Sequence, residues 1–190
     1  MKMFGNIPGL STKRLKLRKI YETDLEELFV ICSSPIVSEQ MTWGTHTEKE
    51  TTKSFIDYLI CQYEIGESAD WGIEFNNKLV GMCSFINWSE VDHSAELGYF
   101  IGHDYWRMGI AKEAVTELIR YAFKTVELNR IEACCNDSNI ASEKVMQSVG
   151  MIYEGTLRED RIIKGIIRNT KVYSILRKEF SRFKEGSYIS

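Results

Sequence analysis

The chain has 190 residues and a formal net charge of -3. Its 44% hydrophobic and 27% charged residues match an average soluble protein, which excludes a disordered chain, a collagen and a disulfide scaffold. At this length, one domain that folds without disulfide or metal is the expectation, spanning 1–190 with a core of about 12–178.

No stretch approaches the ~20 apolar residues of a membrane span. The opening Met1-Lys2-Met3-Phe4-Gly5-Asn6 lacks the apolar run of a signal peptide. The five cysteines (Cys32, Cys61, Cys83, Cys134, Cys135) are odd in number and form no Cys-x-x-Cys pair. That pattern fits a reduced cytoplasmic protein with no metal. Charge is uneven along the chain. Residues 1–20 hold six bases and no acid, residues 21–70 hold eleven acids against Lys49 and Lys53, and residues 155–190 hold nine bases and four acids. The weak overall charge argues against nucleic-acid and membrane partners. The acidic segment either attracts a cationic substrate or solvates two helices.

In chain order, Arg14 to Ile20 alternates basic and apolar residues and predicts a strand. Thr23 to Glu26 reads as a capping box with Thr23 as N-cap, opening a helix through Leu25, Leu28, Phe29 and Cys32 that Pro35 ends. Thr47 to Glu50 reads as a second capping box, for a helix with Phe55, Ile56, Leu59 and Tyr63 on its apolar face. Met41 to His46 is a loop carrying Trp43 between them. Trp71 to Phe75 and Lys78 to Trp88 are strands joined at Asn76-Asn77, a pair that tolerates the positive φ of a tight hairpin. Ser94 to Ile101 is a strand. Ile110, Ala114, Val115, Leu118, Ala122 and Val126 form a helical stripe. Arg130 to Cys135 is a strand, and Asn139 to Val149 a helix stopped by Gly150. Met151 to Leu157, Arg161 to Ile163 and Ile166 to Leu176 are strands, the last two joined at Lys164-Gly165. A polar tail closes the chain from about residue 179. Helices mixed with hairpins imply an α/β or α+β sheet domain.

The stretch from Glu96 to Ala114 carries the chemistry. A strand feeds a turn, Trp106-Arg107-Met108-Gly109, which opens a helix at Ile110-Ala111-Lys112. Small residues at a helix start expose backbone N–H groups, and the helix dipole adds positive charge, so the turn suits a phosphate or pyrophosphate. It is neither a P-loop nor a dinucleotide fingerprint.

This stretch resembles the acyl-CoA-binding motif of the GNAT N-acetyltransferase superfamily, Arg/Gln-x-x-Gly-x-Gly/Ala. Gly109 and Ala111 take the small positions, and Trp106 stands where Arg or Gln is usual. The Trp, and the series Asn139-Ile140-Ala141-Ser142, Val145, Gly150-Met151 and Glu154-Gly155, are similar to the RimJ/RimL-like branch, which contains ribosomal-protein N-terminal acetyltransferases. Thr12 to Arg18 and Tyr173 to Leu176 fit it too.

The resemblance implies a central mixed, mostly antiparallel, splayed sheet flanked by helices. It implies acetyl-CoA in a cleft where the strand from Glu96 parts from that around Ile131 to Cys135. Backbone of Tyr99, Phe100 and Ile101 would pair with the pantetheine arm like an added strand. The turn from Trp106 through Arg107, Met108, Gly109, Ile110, Ala111 and Lys112 would hold the pyrophosphate, and Asn139 the pantetheine. An amine would attack the thioester carbonyl directly, with a backbone N–H holding the oxyanion.

By the same resemblance, Glu96 is the base that works through water and a contact for the amine, and Ser142 lies near the CoA sulfur. The tyrosine acid of many relatives is replaced by Met146. Trp43 is an acceptor-site residue, Tyr173 a packing residue, and Trp71 and Trp88 core or sheet-face aromatics. Glu159 and Asp160 precede the last hairpin without matching a catalytic slot, which falls on Arg161. The acceptor implied is a protein N-terminal amine, with a small cationic amine such as a polyamine as the alternative and a non-catalytic acyl-CoA-binding module as a third reading. The protein would act as a monomer or homodimer.

Overall fold

A computed structural model describes residues 4–180. Of the polar tail expected from about residue 179, residues from 181 onward lie outside them, whereas Phe180 ends a short helix and packs against Phe123 of the core. Eight strands form one sheet: β1 (Leu10–Ser11), β2 (Leu15–Arg18), β3 (Asp70–Phe75), β4 (Lys78–Ser89), β5 (Ser94–Ile101), β6 (Arg130–Asn136), β7 (Ile152–Ile163) and β8 (Ile166–Leu176). Their spatial order is β1-β2-β3-β4-β5-β6-β8-β7. Every neighbouring pair is antiparallel except β5 and β6. Helices α1 (Leu25–Cys32), α2 (Pro35–Ser38) and α3 (Lys49–Ile65) precede β3. Helix α4 (Ile110–Tyr121) links β5 to β6, α5 (Ile140–Ser148) links β6 to β7, and the short α6 (Arg177–Phe180) follows β8.

Strand alternation divides the core. One face of the sheet carries Ala95, Leu97, Ile131, Ala133, Tyr173 and Ile175, packed with Ile110, Ala114, Val115 and Leu118 of α4 and Met146 of α5. Met82 and Phe100 belong to the other face, where they meet Leu28, Cys32, Ile56 and Leu59 of α1 and α3, together with Trp43. Trp71 is fully buried, its indole N–H donating to the Pro8 carbonyl at 2.8 Å. Met146 is a core residue, 0% exposed.

Local signals were mostly obeyed. Asn76 and Asn77 take φ of 52° and 59°, and Lys164 and Gly165 take 52° and 77°, as tight hairpin turns require. Gly66 ends α3 in the left-handed conformation.

Four expectations need correction. Thr23 is not an N-cap. Asp24 accepts the Tyr21 N–H at 2.8 Å and is pulled inward by Arg18, whose two terminal nitrogens each reach it at 2.8 Å, so a 3-10 turn over Glu22–Asp24 starts the helix earlier. Likewise α3 opens at Lys49 after Glu48, with no capping side chain. Pro35 does not end α1, which stops at Cys32. It occupies the first position of α2, where its missing N–H costs nothing. Finally, residues 152–163 form one strand rather than two. An irregularity between Leu157 and Arg161 bends it, with Glu159 at φ 52° and its N–H held by the Asn169 side chain at 2.9 Å.

Candidate active site

The parallel ladder between β5 and β6 has three register pairs, Ser94 with Arg130, Ala95 with Ile131 and Glu96 with Glu132. Beyond Glu96 the strands part. A second irregularity, at Ile86 of β4, lies directly opposite this point, between the pairs Phe85 with Leu97 and Asn87 with Glu96. Extra local twist there helps turn β5 away from β6. Leu97 to Ile101 is then paired on the β4 side only, so alternate backbone groups face the opening. That is the cleft the sequence reading expects.

Glu96 stands at the apex of the opening. Its carboxylate accepts a hydrogen bond from the Asn87 amide at 2.8 Å and is otherwise part-exposed. Across the opening, Asn139 caps α5 by accepting the Ser142 N–H at 3.0 Å. The Tyr99 hydroxyl of β5 lies 2.9 Å from Ser142 Oγ and 3.1 Å from the Ser142 carbonyl. Burial pushes the Tyr99 phenol well above its ordinary value, so the group stays protonated and able to donate. The Tyr99 side chain, as well as its backbone, thus faces the opening, through a contact between residues 43 apart that sequence periodicity does not reveal.

The turn into α4 is built for close approach. Gly109 is the N-cap at φ +75° and Arg107 has φ 62°. The first bond within this helix end runs from the Glu113 N–H to the Gly109 carbonyl at 3.0 Å, leaving the N–H groups of Ile110, Ala111 and Lys112 as the unpaired first-turn donors. Those donors, a left-handed glycine and the exposed Lys112 and Arg107 fit a pyrophosphate. Arg14 fixes the turn from outside, a role the sequence did not suggest. It donates to the Met108 carbonyl at 3.0 Å and to Glu113 at 2.7 Å, while the Thr12 hydroxyl donates to Glu113 at 2.5 Å. Burial pushes the Glu113 carboxyl up, but these bonds outweigh it and the net shift is downward.

Two expected contacts are more constrained than the sequence implied. The Ile101 carbonyl accepts the Trp106 indole N–H at 2.8 Å, so that carbonyl is committed to the protein. Trp106 thereby closes the end of β5 and rests edge-on against His103. Phe100 turns its ring to the other face of the sheet, edge-on to Trp43 at 5.6 Å, so these two aromatics line one wall together. His46 backs Trp43, bonding the Thr52 hydroxyl at 2.8 Å, and burial lowers its pKa.

Five of the eleven acids in residues 21–70 are held by the following partners. Asp24 pairs with Arg18, Glu26 with Lys49 and Asp57 with Lys53. Glu27 accepts the Leu79 N–H, and Asp70 accepts hydroxyls from Ser68 and Ser84. Arg18 is the one base in these pairs that lies outside residues 21–70, so most of the segment's net negative charge remains. Tyr173 is buried as expected, its hydroxyl donating to Glu143 at 2.5 Å on the α5 side of the sheet.

Comparison with known proteins agrees with this geometry. A family model described as an acetyltransferase (GNAT) domain matches residues 14–152. The uncharacterized N-acetyltransferase p20 of Bacillus licheniformis is 32% identical over 177 residues, covering 90% of this chain and 98% of its own. The ribosomal-protein-serine acetyltransferase of Escherichia coli (strain K12) is 22% identical over 166 residues, 86% of this chain and 93% of that one. The crystal structure of a GNAT-family acetyltransferase from Bacillus anthracis superposes with a TM-score of 0.81 at 27% identity, covering 90% of this chain and 100% of that one.

Proposed function

The chain belongs to the GNAT acetyltransferase family, and from that premise we propose that it transfers the acetyl group of acetyl-CoA to the N-terminal amine of a protein. The observation that carries this reading is the ending of the β5–β6 ladder at Glu96, which opens a cleft with a carboxylate at its apex and a hydroxyl pair on its far side. Acetyl-CoA, when bound, supplies an activated thioester. The first-turn N–H groups of α4, with Lys112 and Arg107, would hold its pyrophosphate. Free backbone groups of Tyr99 and Phe100 would orient its pantetheine arm, with Asn139 opposite. Glu96 would accept the proton of the incoming ammonium, through water. The Tyr99–Ser142 pair would donate a hydrogen bond to the sulfur as it gains negative charge. Residues 12–178 act as one catalytic domain in this reading, and five free cysteines support a reducing, cytoplasmic setting.

The Escherichia coli relative, a ribosomal-protein-serine acetyltransferase, supports a protein as acceptor. An acceptor screen tests the reading: peptides and polyamines are each incubated with acetyl-CoA, and the acetylated product is detected by mass. Acetylation at a peptide α-amine is the expected result. Turnover of polyamines alone would reject the protein acceptor, and no turnover of any amine would reject catalysis.

A further inference from the structure

The hairpin of β7 and β8 pairs two arginines on one face of the sheet. Arg161 and Arg168 are direct partners in its ladder, so they project from one face. Alternation along β8 puts Arg168 on the face of Thr170, Val172 and Ser174, which are paired with Asn136, Cys134 and Glu132 of β6. Glu132 is in turn level with Glu96. The two arginines therefore share a sheet face with Glu96 and Phe100, opposite the face covered by α4 and α5. Cys134 lies between the charges: burial pushes its thiol up to about 11, with Glu96 adding to the rise and Arg161 opposing it.

The hairpin is held in place. Its bend at Glu159 is tied through the Asn169 side chain, which also donates to Asp137 at 2.8 Å. Its tip is fastened to α2 by Lys164, which donates to the Ser38 carbonyl at 2.5 Å. Yet the arginines are poorly compensated. Among the described residues, the one carboxylate paired with Arg161 is its neighbour Asp160 at 3.5 Å, and none pairs with Arg168. Like charges directly opposite each other on a hairpin are destabilising, so packing alone does not account for them. Next along the same face, the Thr170 hydroxyl is buried, 2% exposed, with no hydrogen-bond partner. Arg168, with no carboxylate partner among the described residues, and Arg161, paired only with its neighbour Asp160, stand beside an unsatisfied buried hydroxyl and describe a receptor for an anion.

We propose that Arg161 and Arg168 bind a carboxylate of the acceptor, which makes the preferred substrate a peptide with Asp or Glu close behind its N-terminal amine. This rests on the acetyltransferase reading and names its substrate class. The spacing sets the range. Ser174 is level with Glu96 through Glu132, and Arg168 is six residues farther along β8, about 20 Å at ~3.3 Å per residue. An extended peptide covers that distance in about six residues, so the acid falls within that span.

The test pairs two peptides that differ only by Asp or Asn within the first six positions, acetylated by the wild-type protein, Arg168→Met, Arg168→Lys and Arg161→Met. In the wild type, kcat/KM for the Asp peptide should exceed that for the Asn peptide by roughly tenfold or more, the range of a charge-assisted hydrogen bond. The ratio should fall toward one in both Met variants and recover in part with Arg168→Lys. Thermal unfolding checks that the variants are folded. If a Met variant does not fold, the Lys variant and the wild-type ratio still decide. A wild-type ratio near one, or a ratio that the substitutions leave intact, overturns the carboxylate receptor while leaving the acetyltransferase reading standing. Failure to acetylate either peptide or any polyamine overturns both.

Discussion

The Tyr99 hydroxyl and Ser142 Oγ lie 2.9 Å apart and join a strand to a helix across an opening that no backbone ladder spans. Neither residue has another side chain among its hydrogen-bonding partners, apart from the Asn139 cap on the Ser142 N–H. Two hydroxyls so placed act as one donor. Tyr99→Phe and Ser142→Ala should each lower kcat by about tenfold or more, the usual scale for one positioned donor. The double variant should be little worse than either single one, because both remove the same relay. CoA release measured at saturating acceptor checks this, and additive losses would separate the two roles.

Glu96→Gln is nearly isosteric and leaves the Asn87 contact a partner. Turnover should fall by ~10²–10⁴-fold at neutral pH while acetyl-CoA affinity is kept. The deficit should shrink as pH rises, because free amine then becomes available without a base. Ser142→Ala should show no such rescue. A pH–rate profile of both variants with one fixed acceptor distinguishes them, and a Glu96→Gln profile that overlays the wild type would assign deprotonation to solvent.

Gly109 is held at φ +75°, and an added Cβ would come within 3.5 Å of an Arg14 terminal nitrogen. Gly109→Ala should cost about 1 kcal/mol of stability through backbone strain. Gly109→Glu adds a negative charge where the pyrophosphate is proposed to sit, and should abolish acetyl-CoA binding in a chain that still folds. Calorimetric titration of both variants, with thermal melts as the control, gives the answer.

Acid should weaken the β2–β3 edge through Glu74. Hydrogen bonds from Arg18 at 2.7 Å and Lys16 at 3.0 Å hold its carboxyl below the usual glutamate value. A depressed folded pKa contributes stability that is present above the unfolded value, ~4.3, and is lost as pH falls through the folded one. Glu74→Gln should therefore be less stable than wild type at pH 7 and closer to it at pH 3. Urea midpoints at the two pH values test the sign.

What the sequence revealed was local. The Asn76-Asn77 and Lys164-Gly165 turns, the Gly109 start of α4 and the helix following Asn139 each depend on a few neighbouring residues, and each stands as read. The caps assigned to Thr23 and Thr47 are not formed. Asp24 in particular was recruited by Arg18 of a neighbouring strand, and that ion pair moved the helix start. The side-chain role of Tyr99 depends on a contact to a distant helix, which periodicity cannot report. The facing of Arg161 is hidden by the irregularity between Tyr153 and Gly155, because counting alternate residues from Tyr153 through it gives the wrong face.

The brevity of the β5–β6 pairing also bears on how the molecule comes apart. Residues 10–101 and residues 130–176 each build a sheet block from antiparallel neighbours, and three register pairs stitch the blocks together. A partial opening along that line leaves both blocks largely intact, so amide hydrogens flanking it should exchange with solvent through smaller fluctuations than those between β3 and β4. A ligand lying in the cleft bonds to both sides and makes up the missing ladder. Its binding should therefore be felt as slower exchange on β6 as well as β5, and the two blocks should move more nearly as one body.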